Sequence, residues 1–237
     1  MVLKSYIKNL YQSFLDLFFP RICEGCGKVG SYLCDNCMKR LIRYTSQQQC
    51  HVCKKPVSKG LVHDSCKLKS YLDGVFITAK YDKFIEDYIG DIKYEFYFAM
   101  IPDLVKVMNK YLEENQEFQK IIAQSDVTFV PLHFWRQRWR GFNQAEKIAH
   151  GIADYWKVYC IRLLKRVRRT KCQVGLKRKE RLANLKDAFK FIYKGKVKKS
   201  VIVVDDVMTT GSTLEECGKA LKENGVEKVY GLVAARG

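Results

Sequence analysis

The chain has 237 residues, 47% of them hydrophobic, with a formal net charge of +18. That length holds one sizeable α/β domain and a small module, and that apolar content excludes a disordered chain. The charge points to a polyanionic ligand: nucleic acid, pyrophosphate or an acidic membrane surface.

Residues 1–20 are expected to form an amphipathic helix. Leu3, Tyr6, Ile7, Leu10, Phe14, Leu17 and Phe18 recur at helical spacing, and Pro20 stops the pattern. Lys4, Lys8 and Asp16 interrupt the apolar run, which argues against a transmembrane span or a signal peptide. Packing on its own protein is favoured over contact with a membrane surface.

Residues 21–70 read as a double zinc-ribbon module. Six of the ten cysteines form Cys-x-x-Cys pairs. In a lysine-rich chain without a clear secretion signal, this favours metal in a reducing cytoplasm over disulfides. Cys23, Cys26, Cys34 and Cys37 supply four ligands, and Cys50, Cys53, His63 and Cys66 supply four more. Each set suits one structural, tetrahedral zinc. The second set is the weaker, because His63 stands where a cysteine would complete the pair. His51, inside the second knuckle, is an alternative fourth ligand. Ligands are expected to pair within each half, with a cross-braced pairing as the alternative. Two such sites lower the net charge to about +15.

In residues 71–125, residues 74–81 read as a strand, 84–89 as a helical turn or short helix, and 102–118 as one helix. A core strand is expected at 127–131, running into Leu132 and His133. The following stretch alternates Arg136, Arg138 and Arg140 with Trp135, Trp139 and Phe142. It reads as a loop between strand and helix, and its arginines suit a pyrophosphate or a DNA backbone. Core packing is the expectation for each ring, and a structural role is the expectation for His133. Residues 143–156 read as a helix with Asn143 as N-cap. Residues 166–181 contain few apolar side chains and read as a mobile loop. Between 136 and 199 there are 21 Lys and Arg against four acids, nearly the whole formal charge. Such asymmetry argues for an anionic partner.

Residues 201–204 are four β-branched residues, a strand buried on both faces. Asp205 and Asp206 stand at its predicted end. Thr209, Thr210, Gly211, Ser212 and Thr213 follow as a small-residue loop, then a helix over 214–224 with Gly225 as C-cap. Hydroxyls and backbone N–H groups at a helix N-terminus suit a phosphate, and paired carboxylates accept hydrogen bonds from the two hydroxyls of a ribose. The pattern is that of a ribose 5-phosphate site.

This stretch resembles the signature of type I phosphoribosyltransferases, which use phosphoribosyl pyrophosphate (PRPP). Arg140, Gly141, Phe142, Asn143 and Gln144 resemble the signature of the ComF/ComFC family. Leu164, Arg166, Thr170, Gln173, Leu176, Arg181, Asn184, Ala188 and Phe189 extend the likeness. It covers essentially the whole chain, and it departs at His63 and at Leu132-His133. It implies a parallel sheet flanked by helices, with a small N-terminal zinc-ribbon module. It divides residues 71–237 into a hood-like region over 71–125 and a PRPP-binding core over 126–237; core or surface roles are the expectation for Tyr81, Lys93, Tyr94 and Phe96, with contact to an acceptor as the alternative. It also implies transfer of phosphoribosyl to an acceptor with release of pyrophosphate, in the setting of DNA uptake in competence. Asp205, Asp206 and Arg140 are then the catalytic candidates, residues 209–213 the 5-phosphate loop, and Arg136, Arg166 and Arg181 the pyrophosphate and flexible-loop cations. Structural Zn²⁺ and PRPP-bound Mg²⁺ are the implied metals. A cytoplasmic location and a DNA-uptake helicase or ATPase as partner belong to the same implication. Single-stranded DNA is the further expected ligand, with Arg138, Trp139, Arg168 and Arg169 as contacts. The alternative is a non-catalytic DNA-binding or adaptor protein that uses the PRPP pocket as a sensor. A PRPP-sensing repressor has no helix-turn-helix segment to support it.

Overall fold

The structure, a computed structural model, describes residues 20–42, 48–57, 60–80, 82–93, 95–168 and 185–237. Most of the expected N-terminal helix, Tyr81, Tyr94, Arg169, Arg181 and most of the expected mobile loop lie outside these residues. In chain order the elements are α1 (Asp35–Ile42), α2 (Asp64–Lys67), β1 (Gly74–Lys80), α3 (Lys83–Ile92), a 3-10 segment (Glu95–Met100), α4 (Ile101–Glu113) and α5 (Gln116–Ala123). Then follow β2 (Ser125–Phe129), α6 (Phe134–Arg140), α7 (Gln144–Trp156), β3 (Leu164–Arg166), β4 (Phe189–Phe191), β5 (Ser200–Met208), α8 (Ser212–Lys222) and β6 (Lys228–Arg236).

Four strands form a parallel sheet in the order β1-β6-β5-β2. Val127 of β2 also bridges in parallel to Cys160, so the chain after α7 runs along the far side of β2. β2 and β5 are therefore neighbours whose outgoing connections leave in opposite directions. That is a topological switch point, where a crevice opens beyond the strand ends.

Alternation along the strands builds two cores. Ile202 and Val204 of β5 face α7, packing with Ile148 and Ile152, while Val201 and Val203 face Leu214 and Leu221 of α8. Each such side chain contributes about 1.5–3 kcal/mol relative to exposure. The segment is a rigid base for whatever follows it. The first core extends through α3, α4 and α5 to Cys23, Leu33, Cys37, Met38 and Leu41 near the start of the described chain. The second takes in β3 and β4, an antiparallel pair.

Several boundaries differ from expectation. The helix predicted over 102–118 is two helices, because Asn115 stops the first and caps the second by accepting the Phe118 N–H. The segment at 84–89 is longer, a full helix capped by the Asp82 side chain. β5 continues past residue 204 to Met208, since pairing with β6 carries both aspartates inside the strand. The helix after the small-residue loop begins at Ser212 rather than 214.

Candidate functional site

Asp205 and Asp206 occupy successive positions of β5, so they point to opposite faces of the sheet end. Asp206 turns toward α7. Its Oδ2 accepts a hydrogen bond from Gln144 Nε2 at 3.1 Å and lies 3.8 Å from Lys93 Nζ. Each carboxylate also binds backbone: Asp206 N donates to Asp205 Oδ1 at 2.9 Å, and Val207 N to Asp206 Oδ1 at 2.7 Å. Burial pushes the Asp205 carboxyl well above the usual carboxylate range, and the charge of Asp206 beside it adds to the effect. Two crowded acids of this kind invite a cation or a hydroxyl pair.

Thr209, Thr210 and Gly211 turn the chain into α8. Gly211 has φ 82°, the left-handed region that favours glycine. The Thr210 and Ser212 hydroxyls lie 2.8 Å apart. Gly211 offers α8 no side-chain cap, the Ser212 N–H reaches Thr210 Oγ1 at 3.4 Å, and the first turn lines the cleft beside these hydroxyls. This is the donor set a phosphate needs.

The opposite wall is α6. The stretch expected as a loop is a seven-residue helix, which the His133 side chain caps by accepting the Trp135 N–H at 3.4 Å. Gly141, at φ 76°, ends it. His133 thus has the structural role expected of it. The expectation of core packing fails for Trp135 and Trp139: α6 has no buried residue, and Trp139 is 72% exposed. Phe142 is partly buried against the main core and meets Phe98 edge-on. Arg136, Trp139 and Arg140 line one cleft with Lys93, Gln144, Arg166, the two aspartates and residues 207–214. The cleft measures about 390 Å³.

Arg166 corrects another expectation. It is the last residue of β3, only 6% exposed, with its guanidinium over the Phe189 ring at 5.5 Å. Burial lowers its pKa, and the charge of Arg136 lowers it further, while Asp205 acts in the opposite sense. Two arginines that repel each other across a cleft are stabilised by an anion between them. Arg138 lies apart. It lines an adjoining groove of about 790 Å³ with Phe134, Arg162, Lys165 and Ile192, a groove that shares Arg166 with the cleft. Arg168 is exposed and donates to the Lys186 carbonyl at 2.6 Å.

The sequence reading missed Gln144 as a contact of Asp206. Its Nε2 binds Asp206, and its Oε1 is buried without a hydrogen-bond partner, an acceptor at the cleft wall. The signal was its place beside Asn143. Asn143 pins the start of α7 to the end of β2 by donating to the Val130 carbonyl and accepting from Ala145 N–H. Lys93, for which a core or surface role is the expectation, is a charge partner of Asp206 at the cleft.

Both metal-ligand sets assemble as expected within each half. The ligand atoms of Cys23, Cys26, Cys34 and Cys37 lie within 4.8 Å of one another, as do those of Cys50, Cys53, His63 and Cys66. Cys26 and Cys34 Sγ are 3.6 Å apart. Thiolates 2.3 Å from one tetrahedral ion stand about 3.8 Å apart, so the set fits zinc. His63 fits as well: its Nδ1 faces Cys53 Sγ at 3.3 Å, while Nε2 reaches the Pro56 carbonyl at 3.1 Å. That outer hydrogen bond fixes the tautomer that leaves Nδ1 for metal. His51 is not part of the set. Its Nε2 binds Glu215 and Ser70 instead. Among the described residues no helix is long and apolar enough to cross a membrane.

Known proteins match both regions. Residues 14–67 match the family of the double zinc ribbon domain, and residues 190–236 that of the phosphoribosyl transferase domain. Competence protein F of Haemophilus influenzae is 30% identical over 221 residues, 90% of this chain and 90% of that protein. Competence protein ComFC of Streptococcus pneumoniae is 26% identical over 214 residues, 88% of this chain and 84% of that one. A DNA utilization protein, YhgH, of Salmonella typhi is 36% identical over 107 residues, 44% of this chain and 45% of its own.

Proposed function

From the premise that this chain belongs to the ComF/ComFC family of competence proteins, we propose that its cleft binds PRPP with Mg²⁺ and passes phosphoribosyl to an acceptor in the handling of single-stranded DNA. The observation that carries the reading is the aspartate pair at the switch point, flanked by a helix N-terminus on one side and arginines on the other. Residues 209–213 hold the 5-phosphate. Asp205 and Asp206 accept the ribose hydroxyls. Arg136, Arg140 and Arg166 draw charge from the leaving pyrophosphate.

In the displacement, a lone pair of an acceptor nitrogen forms the new bond at C1. The C1–O bond breaks, and pyrophosphate departs with the electron pair. The acceptor's surplus proton goes to solvent. Asp205 and Asp206, with the substrate's own phosphates, would hold Mg²⁺, which would supply charge neutralisation there. Structural zinc in both ribbons is the remaining metal.

The test is pyrophosphate release from PRPP, measured against a panel of bases and nucleic acids. Release with one acceptor class supports transfer. Tight PRPP binding with no release favours the second reading, a DNA-binding protein that uses the pocket as a sensor. The observation behind that second reading is the exposure of Trp135 and Trp139 on a helix rich in arginine. No PRPP binding at all overturns both. A cytoplasmic setting and a DNA-uptake ATPase as partner belong to the same proposal.

A further inference from the structure

The two zinc ribbons are anchored differently. The first shares the main core through Cys23, Leu33, Cys37, Met38 and Leu41. The second has a small cluster of its own, Cys50, Val62 and Cys66, touches the main core through Leu61, and is tied to it by Gln48, which donates to the Ile77 carbonyl. One residue of its knuckle, His51, is 5% exposed and reaches across the molecule to α8. His51 Nε2 lies 2.8 Å from Glu215 Oε1 and 2.9 Å from Ser70 Oγ. Ser70 Oγ donates to the same carboxylate at 2.7 Å, and the Tyr71 N–H donates to its other oxygen at 2.8 Å.

Glu215 belongs to the first turn of α8, and its own N–H donates to the Gly211 carbonyl at 2.9 Å. It is thus tied to the glycine that turns the small-residue loop, and its side chain is tied to the ribbon. Glu215 is not among the residues that line the cleft. A carboxylate in the first turn competes with a phosphate for the positive end of a helix. Three donors that hold it against the ribbon keep it out of that competition.

We propose that the second zinc ribbon positions the phosphate loop: the ion fixes the knuckle of Cys50 and Cys53, the knuckle aims His51, and His51 holds Glu215 and with it the first turn of α8. His51 is on this account a positioning residue, and the zinc ribbon is coupled to ligand binding as well as to folding. The inference rests on reading residues 209–213 as the 5-phosphate loop.

The test uses the full zinc-loaded chain and two probes, ribose 5-phosphate for the loop and inorganic pyrophosphate for the arginine wall. Calorimetry gives both affinities, and hydrogen exchange reads the amides of residues 212–215. His51→Ala should lower ribose 5-phosphate affinity about tenfold, as expected for losing one hydrogen bond to a charged group. It should leave pyrophosphate affinity within about twofold, keep two zinc ions per chain and speed the exchange. His51→Gln, whose amide can still donate to Glu215, should recover most of the loss. Cys66→Ser should drop one zinc and reproduce the effects of His51→Ala. An equal fall for both probes would mean general destabilisation and would overturn the proposal, as would unchanged exchange in His51→Ala. Loss of one zinc with ribose 5-phosphate affinity intact would overturn it too. A wild type that does not bind ribose 5-phosphate instead overturns the reading of the loop, and the exchange data then decide alone whether ribbon and helix are coupled.

Discussion

The two walls of the cleft are built on opposite plans. One is the end of β5 with the loop and α8 that follow. It rests on Val201, Ile202, Val203 and Val204, none of them exposed, and on a strand paired on both sides. The other is α6, seven residues with no buried side chain, held by a histidine cap at one end and a left-handed glycine at the other. The acid wall is fixed before any ligand arrives. The basic wall is held mainly at its ends, so it can adjust to a ligand at small energetic cost. A phosphoribosyl ligand fits this division: the sugar and its 5-phosphate need exact placement, whereas the pyrophosphate must be gripped and then let go.

The sharpest way to break the comparison is to remove the paired carboxylates. Asp205→Asn combined with Asp206→Asn should lower PRPP–Mg²⁺ affinity by more than about 100-fold, the loss of two hydrogen bonds to charged groups. Single-stranded DNA affinity should change by less than about twofold. Calorimetry for PRPP and fluorescence titration for DNA measure the two. Unchanged PRPP affinity would remove the acid wall from the site.

The same contrast decided what could be read from the sequence. A β-branched run leaves a strand little alternative, and two acids before Thr-Thr-Gly-Ser-Thr have few purely structural uses. The acid wall was therefore legible, except that the strand extends through the aspartates, because β6 pairs beyond them. The basic wall was misread for a physical reason. A helix with no buried residue leaves no apolar period to find, so α6 looked like a loop. Its rings were assigned to a core that lies elsewhere. Arg166 looked mobile because β3 is three residues long and gains its partner only at Phe189, 23 positions on. The zinc ligands announced themselves by spacing. The role of His51 could not, since Glu215 lies 164 positions away.

Weakening the basic wall should cost less than breaking the acid one. Arg136→Ala or Arg140→Ala should each lower affinity for pyrophosphate and PRPP by about 10-fold, through loss of charge-assisted hydrogen bonds. Ribose 5-phosphate, which lacks the pyrophosphate, should bind both variants as it binds the wild type. Calorimetry with the three ligands separates the walls. A uniform loss over all three would mean that the two do not act independently.

A difference between the walls should also appear in pH dependence. Burial holds the Asp205 proton in the folded state at a pH where an unfolded chain has released it. Between the ordinary carboxylate range and that raised value the folded state binds more protons, so rising pH destabilises the ligand-free protein. Asp205→Asn should abolish this slope, raising Tm relative to wild type at pH 8 but not at pH 4. Thermal melts at both pH values test the sign. A wild type that grows more stable across that window through this residue would contradict the burial argument.

The smallest expected effect decides whether α6 is a DNA-binding surface. Trp139 lies on the basic wall with 72% of its surface exposed, and no charge is lost when it is replaced. If the ring stacks on a base, Trp139→Ala should weaken single-stranded DNA binding by about 5- to 10-fold, with PRPP affinity within about twofold. The dependence of log K on log salt should keep its slope, because counterion release follows phosphate contacts alone. Arg138→Ala, in the adjoining groove, should do the reverse, reducing the slope by about one with a sequence-independent loss of affinity. Paired salt titrations of the two variants read these outcomes together. If Trp139→Ala instead lowers PRPP affinity and spares DNA, the ring covers the sugar phosphate, and α6 acts as a lid of the pocket rather than as a DNA-binding surface.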